Sequence, residues 1–456
     1  MTEYDAVDLF CGAGGFSSGL GQADINVKYG VDQNEDALKT FDKNHEGEAI
    51  QHDIREGIPE ELQEENFDIV FGSPPCKGFS IAQGGNRYLD DERNGLVFEF
   101  IAWVEEMAPD IVLMENVTGM ETISDDFMSA VEREYRDAGY DQFTYETLRA
   151  SDYGVPQNRD RVIVMASHER NDIPVSFPEP THVEDGQDLG LNSDFDVASL
   201  NHKVTVKEAI GDLPNPTEDG IVSLPPLSEL DFDTSFLEYV RADDNKTYNH
   251  IANQPSQSGH TPKIVSELEP GEMYRSTRFG DRYRQVWDLL SDEFSEAKQE
   301  VLRFIGRHRT RKEYRIKGKS VGHVHDKKIV DEVDIDEDAI EDALEELLEN
   351  GWLREDTVED KHGYDLNTQS GVRPRYVRIE PDGQSNTILT TDFNPRDKLH
   401  PFENRGLSLR EGARVQSFPD DFRFHGSFDD IATQIGNAVP PLMAKEIGHH
   451  VTKRLE

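Results

Sequence analysis

The sequence predicts a doubly wound, mostly parallel α/β sheet joined to a smaller second domain. Three observations predict it. Short apolar runs alternate with amphipathic stretches over residues 5–167. The first run enters a glycine-rich turn. Successive runs end in polar residues, which is where open α/β sheets build their ligand crevice.

Taken in order, "DAVDLF" (5–10) reads as a buried strand, and "CGAGGFSSG" turns it into a helix. "VKYGVD" (27–32) is a second strand and "EDALKTFDKN" an amphipathic helix. "FDIVFGSPP" (67–75) is a strand stiffened at its end by two prolines. A helix over 96–107 leads to the strand "PDIVLMENV" (109–117). A helix near 125–138, a strand at 143–148 and the strand "RVIVMAS" (161–167) complete the pattern. Residues 170–235 then turn rich in Pro, Asp and Ser, with one short helix at "TVKEAIGDL". Residues 281–350 read as mostly helical, including an acidic amphipathic run capped by Gly351. Helix and strand return from about 405. The boundaries expected are 1–170 plus 400–456 for the α/β domain and 171–399 for the second, with a helical basic/acidic insertion near 281–375.

Composition sets limits. The 456 residues carry 47 Lys+Arg against 92 Asp+Glu, a net charge of −45. Such a charge ordinarily repels phosphates, but at about 1 M salt the screening length shrinks to ~3 Å. We read the acidity as a halophilic adaptation of the solvent face. Against it stands 303–328, with ten Lys/Arg and two acids, a local charge of +8. This island is either a solvated loop or an electrostatic footprint for nucleic acid. No apolar run reaches the ~20 residues of a membrane span, and no secretory leader is visible, so a cytoplasmic protein is expected. Two cysteines, Cys11 and Cys76, exclude a disulfide scaffold or a four-cysteine zinc site, and no metal is expected.

The chemistry-bearing residues cluster at the strand ends. Gly12, Gly14 and Gly15 follow the first strand, and Asp32 ends the second, where an acid can take ribose hydroxyls. Ser17 stands where a third dinucleotide-binding glycine would be, which disfavours a nicotinamide enzyme. Cys76 follows two prolines, as a fixed nucleophile should. Glu115 and Asn116 end a buried strand, and a carboxyl there can act as acid or donor. Arg159 and Arg161 are two apart, on one face of an entering strand, or else form surface ion pairs. Arg410 and Arg414 lie one turn apart on a helix ahead of "QIGNAVPP".

In this order, "DLFCGAGGFSSG", "SPPCKGFS", "ENV", "QNRDR", "REGARVQSFPDDF" and "QIGNAVPP" resemble the motifs of the carbon-5 cytosine methyltransferase family. The likeness covers about 1–168 and 385–456. Lys77 departs from it, standing where the family usually has Gln. The resemblance implies a Rossmann-like methyltransferase fold with a target-recognition domain. It implies S-adenosylmethionine (SAM) as methyl donor and double-stranded DNA as substrate. Cys76 would add to carbon 6 of a flipped-out cytosine. Glu115 would hold ring nitrogen 3 and the amine, and Arg161 with Arg159 the cytosine oxygen and the frame. Phe10, Gly12, Gly14, Asp32, Asp53, Ile54, Leu96, Asn437 and Val439 would surround the donor. Arg307, Arg309, Arg311, Lys312, Arg315 and Lys317 are the candidates for DNA phosphates. A cognate restriction endonuclease is a possible partner, and a monomer suffices for one flipped base. The alternatives are a tRNA-methylating relative, disfavoured by the long 170–400 segment, and a catalytically silent DNA-binding module, disfavoured by the intact Cys76, Glu115, Arg159 and Arg161.

Overall fold

The computed structural model describes residues 4–75, 95–122, 127–184, 200–255, 257, 265–274, 283–284, 294–308, 311–314, 323–350, 352–358, 361–366 and 375–456. The chain forms two compact units. The first holds Met1–Ala252, Pro381–Phe393 and Ser408–Glu456; the second holds Asn253–Glu380 and Asn394–Leu407.

In the first unit the strands are β1 (Tyr4–Leu9), β2 (Ile25–Asp32), β3 (Glu48–Gln51), β4 (Ile69–Gly72), β5 (Ile111–Val117), β6 (Gln142–Arg149) and β7 (Asp160–Ser167). They make one seven-stranded sheet in the order β3-β2-β1-β4-β5-β7-β6 among the described residues. Its first five strands pair in parallel, and β7 runs antiparallel to both β5 and β6. The central strands are apolar on both faces because helices cover both faces. Alternate residues serve opposite layers. Val7, Leu9, Val70, Val112 and Met114 pack with α3 (Gly95–Met107) and α4 (Phe127–Asp137). Ala6, Ile69, Phe71 and Leu113 pack with α1 (Gly15–Gly21) and α2 (Glu35–Asn44). The expected strands at 67–75 and 109–117 are shorter than the apolar runs suggested.

The C-terminal segment is helical: α10 (Leu409–Val415), α11 (Phe428–Asn437) and α12 (Pro441–Leu455). The strand expected after 405 is not found among the described residues. Helix α12 lies against α1 because glycines permit it. A Cβ on Gly19 would sit 2.3 Å from the Pro441 carbonyl, and one on Gly448 2.7 Å from the Ala23 Cβ. The chain end is thereby returned to the first glycine turn.

The compact units divide the chain differently from the expected boundaries. Described residues of 171–252, including α5 (Val206–Ile210) and α6 (Ser235–Val240), and those of 381–393 cluster with the α/β unit, whereas 400–407 clusters with the other. The cause is a buried ionic cluster. Arg414 of α10 donates to Asp420 at 2.9 and 2.7 Å and is also bound to Asp212, which Arg241 holds at 2.6 Å. Burial alone would lower the Arg414 pKa, but Asp420 and Asp212 outweigh it and raise it. Arg410 donates to the carbonyls of Tyr248, Pro419 and Phe422 at 2.8, 2.6 and 2.5 Å. The two arginines seen one turn apart are bolts between α10 and the 200–252 segment.

In the second unit, β8 (Met273–Tyr274), β9 (Tyr283–Arg284), β13 (Arg375–Arg378) and β14 (Lys398–Leu399) form a sheet in the order β9-β8-β13-β14. Between them lie α7 (Glu296–His308), β10 (Val324–His325), α8 (Asp326–Glu332), α9 (Glu337–Glu349), β11 (Leu353–Val358) and β12 (Lys361–Leu366). The antiparallel order is β10-β12-β11. Val301, Leu302 and Ile305 of α7, Ile329 of α8, Ile340, Leu344 and Leu347 of α9, and Leu353 and Leu366 form its core. The helical reading of 281–350 thus resolves into three helices and two short strands among the described residues; Gly351 lies outside them. No described helix is long and apolar enough to cross a membrane.

Candidate active site

The polar ends of β1, β2, β4 and β5 share one edge of the sheet, and Asp32, Glu115 and Asn116 stand at strand ends there. The turn after β1 needs three left-handed residues: Phe10 at φ 63°, Gly12 at 54° and Gly14 at 85°. The two glycines differ in role. A Cβ on Gly12 would meet nothing within 4 Å, whereas one on Gly14 would fall 2.2 Å from His45 Nε2 and 2.9 Å from Phe41. Gly14 is required by packing, and Gly12 faces open space. Asp32 closes the turn. Its Oδ2 accepts the Gly12 N–H at 2.9 Å and its Oδ1 the Asn34 N–H at 2.8 Å. Burial raises its pKa against these hydrogen bonds.

A second acid stiffens the turn. Asp8 of β1 is buried, and its Oδ2 accepts the Ser17 hydroxyl at 2.5 Å. Burial pushes the Asp8 carboxyl well above the usual range. Sequence reasoning missed Asp8 because an acid inside an apolar strand has no evident partner there. The available signal was Ser17, nine residues on and in the place of the third glycine. Ser17 ties the first turn of α1 to the end of β1.

The other cofactor candidates lie around this edge. Asp53 caps a single 3-10 turn, Ile54–Glu56, by accepting the Arg55 N–H at 3.1 Å, and pairs with the Arg55 side chain. The Arg55 hydrogen bond holds its pKa at about 2. Ile54 is buried, and its carbonyl accepts the Trp103 indole N–H at 3.0 Å. Phe10 and Leu96 are half-buried against the α3 layer. Asn437, the last residue of α11, is exposed, whereas Val439 is buried with its carbonyl 2.5 Å from where a Cβ on Gly15 would be. An open cradle at Gly12, an acid at the end of β2 and a C-terminal segment returned to the turn fit a nucleoside-bearing donor such as SAM.

Glu115 and Arg161 meet by register. In the antiparallel β5–β7 pair Arg161 stands opposite Val117, so Glu115, two residues back, is its diagonal neighbour on the same face. Arg161 Nε lies 2.8 Å from Glu115 Oε1, both nearly buried. Burial lowers the Arg161 pKa, and Glu115 opposes it. Arg159 departs from the expectation of one shared strand face. It precedes β7, is 1% exposed, and donates to the carbonyls of Ile388 and Gly436 at 3.3 and 3.2 Å. It therefore braces the site from behind. Gln157 does likewise, accepting the Ile388 N–H at 2.6 Å and donating to the Gln416 side chain at 2.8 Å.

Beside Glu115, the Asn116 side chain donates to the Pro74 carbonyl at 3.2 Å, and the Ser73 N–H bonds Leu9 at 3.2 Å. The chain entering the segment of Cys76 is thus fixed as far as Pro74. Cys76 and Lys77 lie outside the described residues, as do Arg309, Arg315 and Lys317. Arg307 and Arg311 are exposed in the second unit. Lys312 belongs to a single 3-10 turn there, its side chain not described. The described residues contain no group of three or more His, Cys, Asp or Glu that could hold a metal ion.

Comparison with known proteins gives the chain's family and the fold it shares. The model for the C-5 cytosine-specific DNA methylase family matches residues 4–453. The type II methyltransferase M.AgeI of Thalassovita gelatinovora is 31% identical, over 98% of each chain. M.XorII of Xanthomonas oryzae pv. oryzae is 28% identical over 100% of this chain and 86% of its own. A crystal structure of a prophage-encoded E. coli protein, assigned as a DNA modification methyltransferase, shares the fold with a TM-score of 0.61 at 20% identity, covering 99% of both chains. The chain therefore belongs to the C-5 cytosine-specific DNA methylase family, whose members methylate carbon 5 of cytosine in DNA with SAM as donor.

Proposed function

We propose that this chain methylates a cytosine flipped out of duplex DNA, through a covalent adduct on Cys76, in the manner of its type II relatives. The observation that carries the reading is the Glu115–Arg161 pair, at 2.8 Å, beside the anchored Pro74. Carbon 5 of cytosine is a poor nucleophile. The Cys76 thiolate adds to carbon 6, and the electron pair moves toward carbon 5. Glu115 holds ring nitrogen 3 and the exocyclic amine. Arg161 orients Glu115 and meets the cytosine oxygen, and Arg159 fixes the frame. When bound, SAM supplies an electrophilic methyl group. Gly12 makes room for it, Asp32 takes its ribose, and Asp53, Ile54, Leu96, Phe10, Gly14, Asn437 and Val439 line its surroundings. Loss of the carbon-5 proton then expels Cys76. Arg307, Arg309, Arg311, Lys312, Arg315 and Lys317 contact phosphates. The protein acts as a monomer alongside a cognate endonuclease, and its composition supports a salt optimum of about 1 M.

The test is transfer of labelled methyl from SAM to plasmid DNA and, in parallel, to tRNA, over about 0.1 to 1 M salt, with Cys76→Ser as control. The expected label is at cytosine carbon 5 of DNA and absent in the control, which still binds SAM. Label in tRNA alone overturns the substrate. Activity greatest near 0.1 M rejects the halophilic reading.

A further inference from the structure

The stretch from α7 to β12 has a topology of its own. A helix, a short strand, a helix, a four-residue turn (333–336), a second helix and a two-stranded hairpin follow one another. The first strand closes the sheet beside the last, in the order β10-β12-β11. This is the connectivity of a helix-turn-helix with a β-hairpin wing, α8 and α9 being the helix pair. In the usual docking mode the second helix of such a pair enters the major groove.

Here that helix is wrong for the task. Residues 331–349 contain eleven Asp/Glu and no Lys or Arg. On α9 the exposed positions Glu337, Asp338, Glu341, Asp342, Glu345, Glu346 and Glu349 all carry carboxylates, and Glu346 pairs with Lys298 of α7. Each would face phosphate repulsion in a groove. The opposite charge precedes this helix in the sequence, and the two meet at Glu332, which accepts the Tyr314 hydroxyl at 2.9 Å and pairs with Lys328 at 3.1 Å. Residues 303–328 carry +8, and among the described ones Arg307 at the end of α7, Arg311, and Lys327 in the first turn of α8 are exposed. Arg311 is not on a loose tail. Its N–H bonds the His308 carbonyl at 2.9 Å, and the Tyr314 ring stacks on His308 with centroids 4.2 Å apart. Lys328 lies 5.7 Å from the same ring. The turn is thus folded back onto α7, so the backbone that carries Arg311 is fixed there.

We propose that this module is a sequence-independent DNA clamp. It grips the phosphate backbone of the duplex with the exposed Arg307, Arg311 and Lys327 and keeps α9 turned away from the groove. The proposal rests on the reading that the chain acts on duplex DNA. It assigns base recognition to other parts of the chain, because phosphate contacts position a protein without reading sequence.

The experiment uses the full chain. Binding to a short random-sequence duplex is measured over about 0.1 to 0.5 M salt, and methylated cytosines in plasmid DNA are mapped at base resolution. The proteins are wild type, the triple variant R307S/R311S/K327S and the double variant E341Q/E345Q. All substituted side chains are exposed, so unchanged melting temperatures are expected. For the triple variant, the slope of log affinity against log salt should fall by about 2.7, or 0.9 per phosphate contact, with the methylated sequence unchanged. For the double variant, both slope and methylated sequence should match wild type. A wild-type slope in the triple variant overturns the clamp. A changed methylated sequence in the double variant overturns the orientation, since α9 would then read bases. Wild type that neither binds nor methylates DNA overturns the functional reading instead.

Discussion

Gly12 and Gly14 stand two residues apart in one turn, yet alanine should affect them in different ways. At Gly14, φ is 85° and the new methyl would overlap His45 Nε2 at 2.2 Å and Phe41 at 2.9 Å. Phe41 is fully buried and lies against His45 with centroids 4.4 Å apart, so the Phe41 ring cannot give way cheaply. The left-handed backbone costs about 1–2 kcal/mol. Overpacking costs about 1–3 kcal/mol more. Gly14→Ala should therefore destabilise the protein by about 2–5 kcal/mol. At Gly12, φ is 54° and nothing lies within 4 Å of the new methyl. Only the backbone cost of about 1–2 kcal/mol applies. The methyl then projects into the space assigned to SAM, so affinity should fall about tenfold or more, or at least 1.4 kcal/mol. Thermal unfolding without ligand, and titration calorimetry with SAM, separate the two effects. The reasoning fails if Gly12→Ala melts as low as Gly14→Ala, or if it binds SAM as tightly as wild type.

Two further outcomes follow from buried charges. Asp212→Ala removes the carboxylate that pairs with Arg241 and leaves Asp420 as the carboxylate partner of Arg414. It should cost about 3–5 kcal/mol in chemical denaturation, the usual penalty for breaking a buried ion pair; a loss under about 1 kcal/mol would refute the bolting role of that cluster. His45 has its pKa held at about 4 by burial, against 6.5 when unfolded. The unfolded chain therefore takes the proton first. Its contribution is intact above pH 6.5 and should be lost progressively as pH falls toward 4, up to about 3 kcal/mol. In a pH series of melting temperatures, His45→Gln should flatten that window, and an unchanged slope would count against it.

The strand-end positions of Asp32, Glu115 and Asn116 were legible because local rules place them. A buried strand followed by a helix puts its last residues at the crevice, whatever the rest of the chain does. The α/β alternation was legible for the same reason, since periodicity is a short-range property. The spacing of Arg159 and Arg161 was visible, but their separate fates were not. Arg161 reaches Glu115 through the register of two antiparallel strands, and Arg159 reaches Ile388 and Gly436 through segments more than two hundred residues away. Asp8 was hidden because the partner that makes a buried carboxyl tolerable lies on the following helix. The domain boundary shifted for a related cause. Arg410 and Arg414 look like surface cations in one dimension, yet their ligands are Asp212, Asp420 and the carbonyls of Tyr248, Pro419 and Phe422. Composition declared the charges at 303–328 and 331–349, but only folding showed that the carboxylates of 337–349 line the exposed positions of one helix. Long-range pairing carries no periodic trace along the chain, and that is why these features waited for the folded molecule.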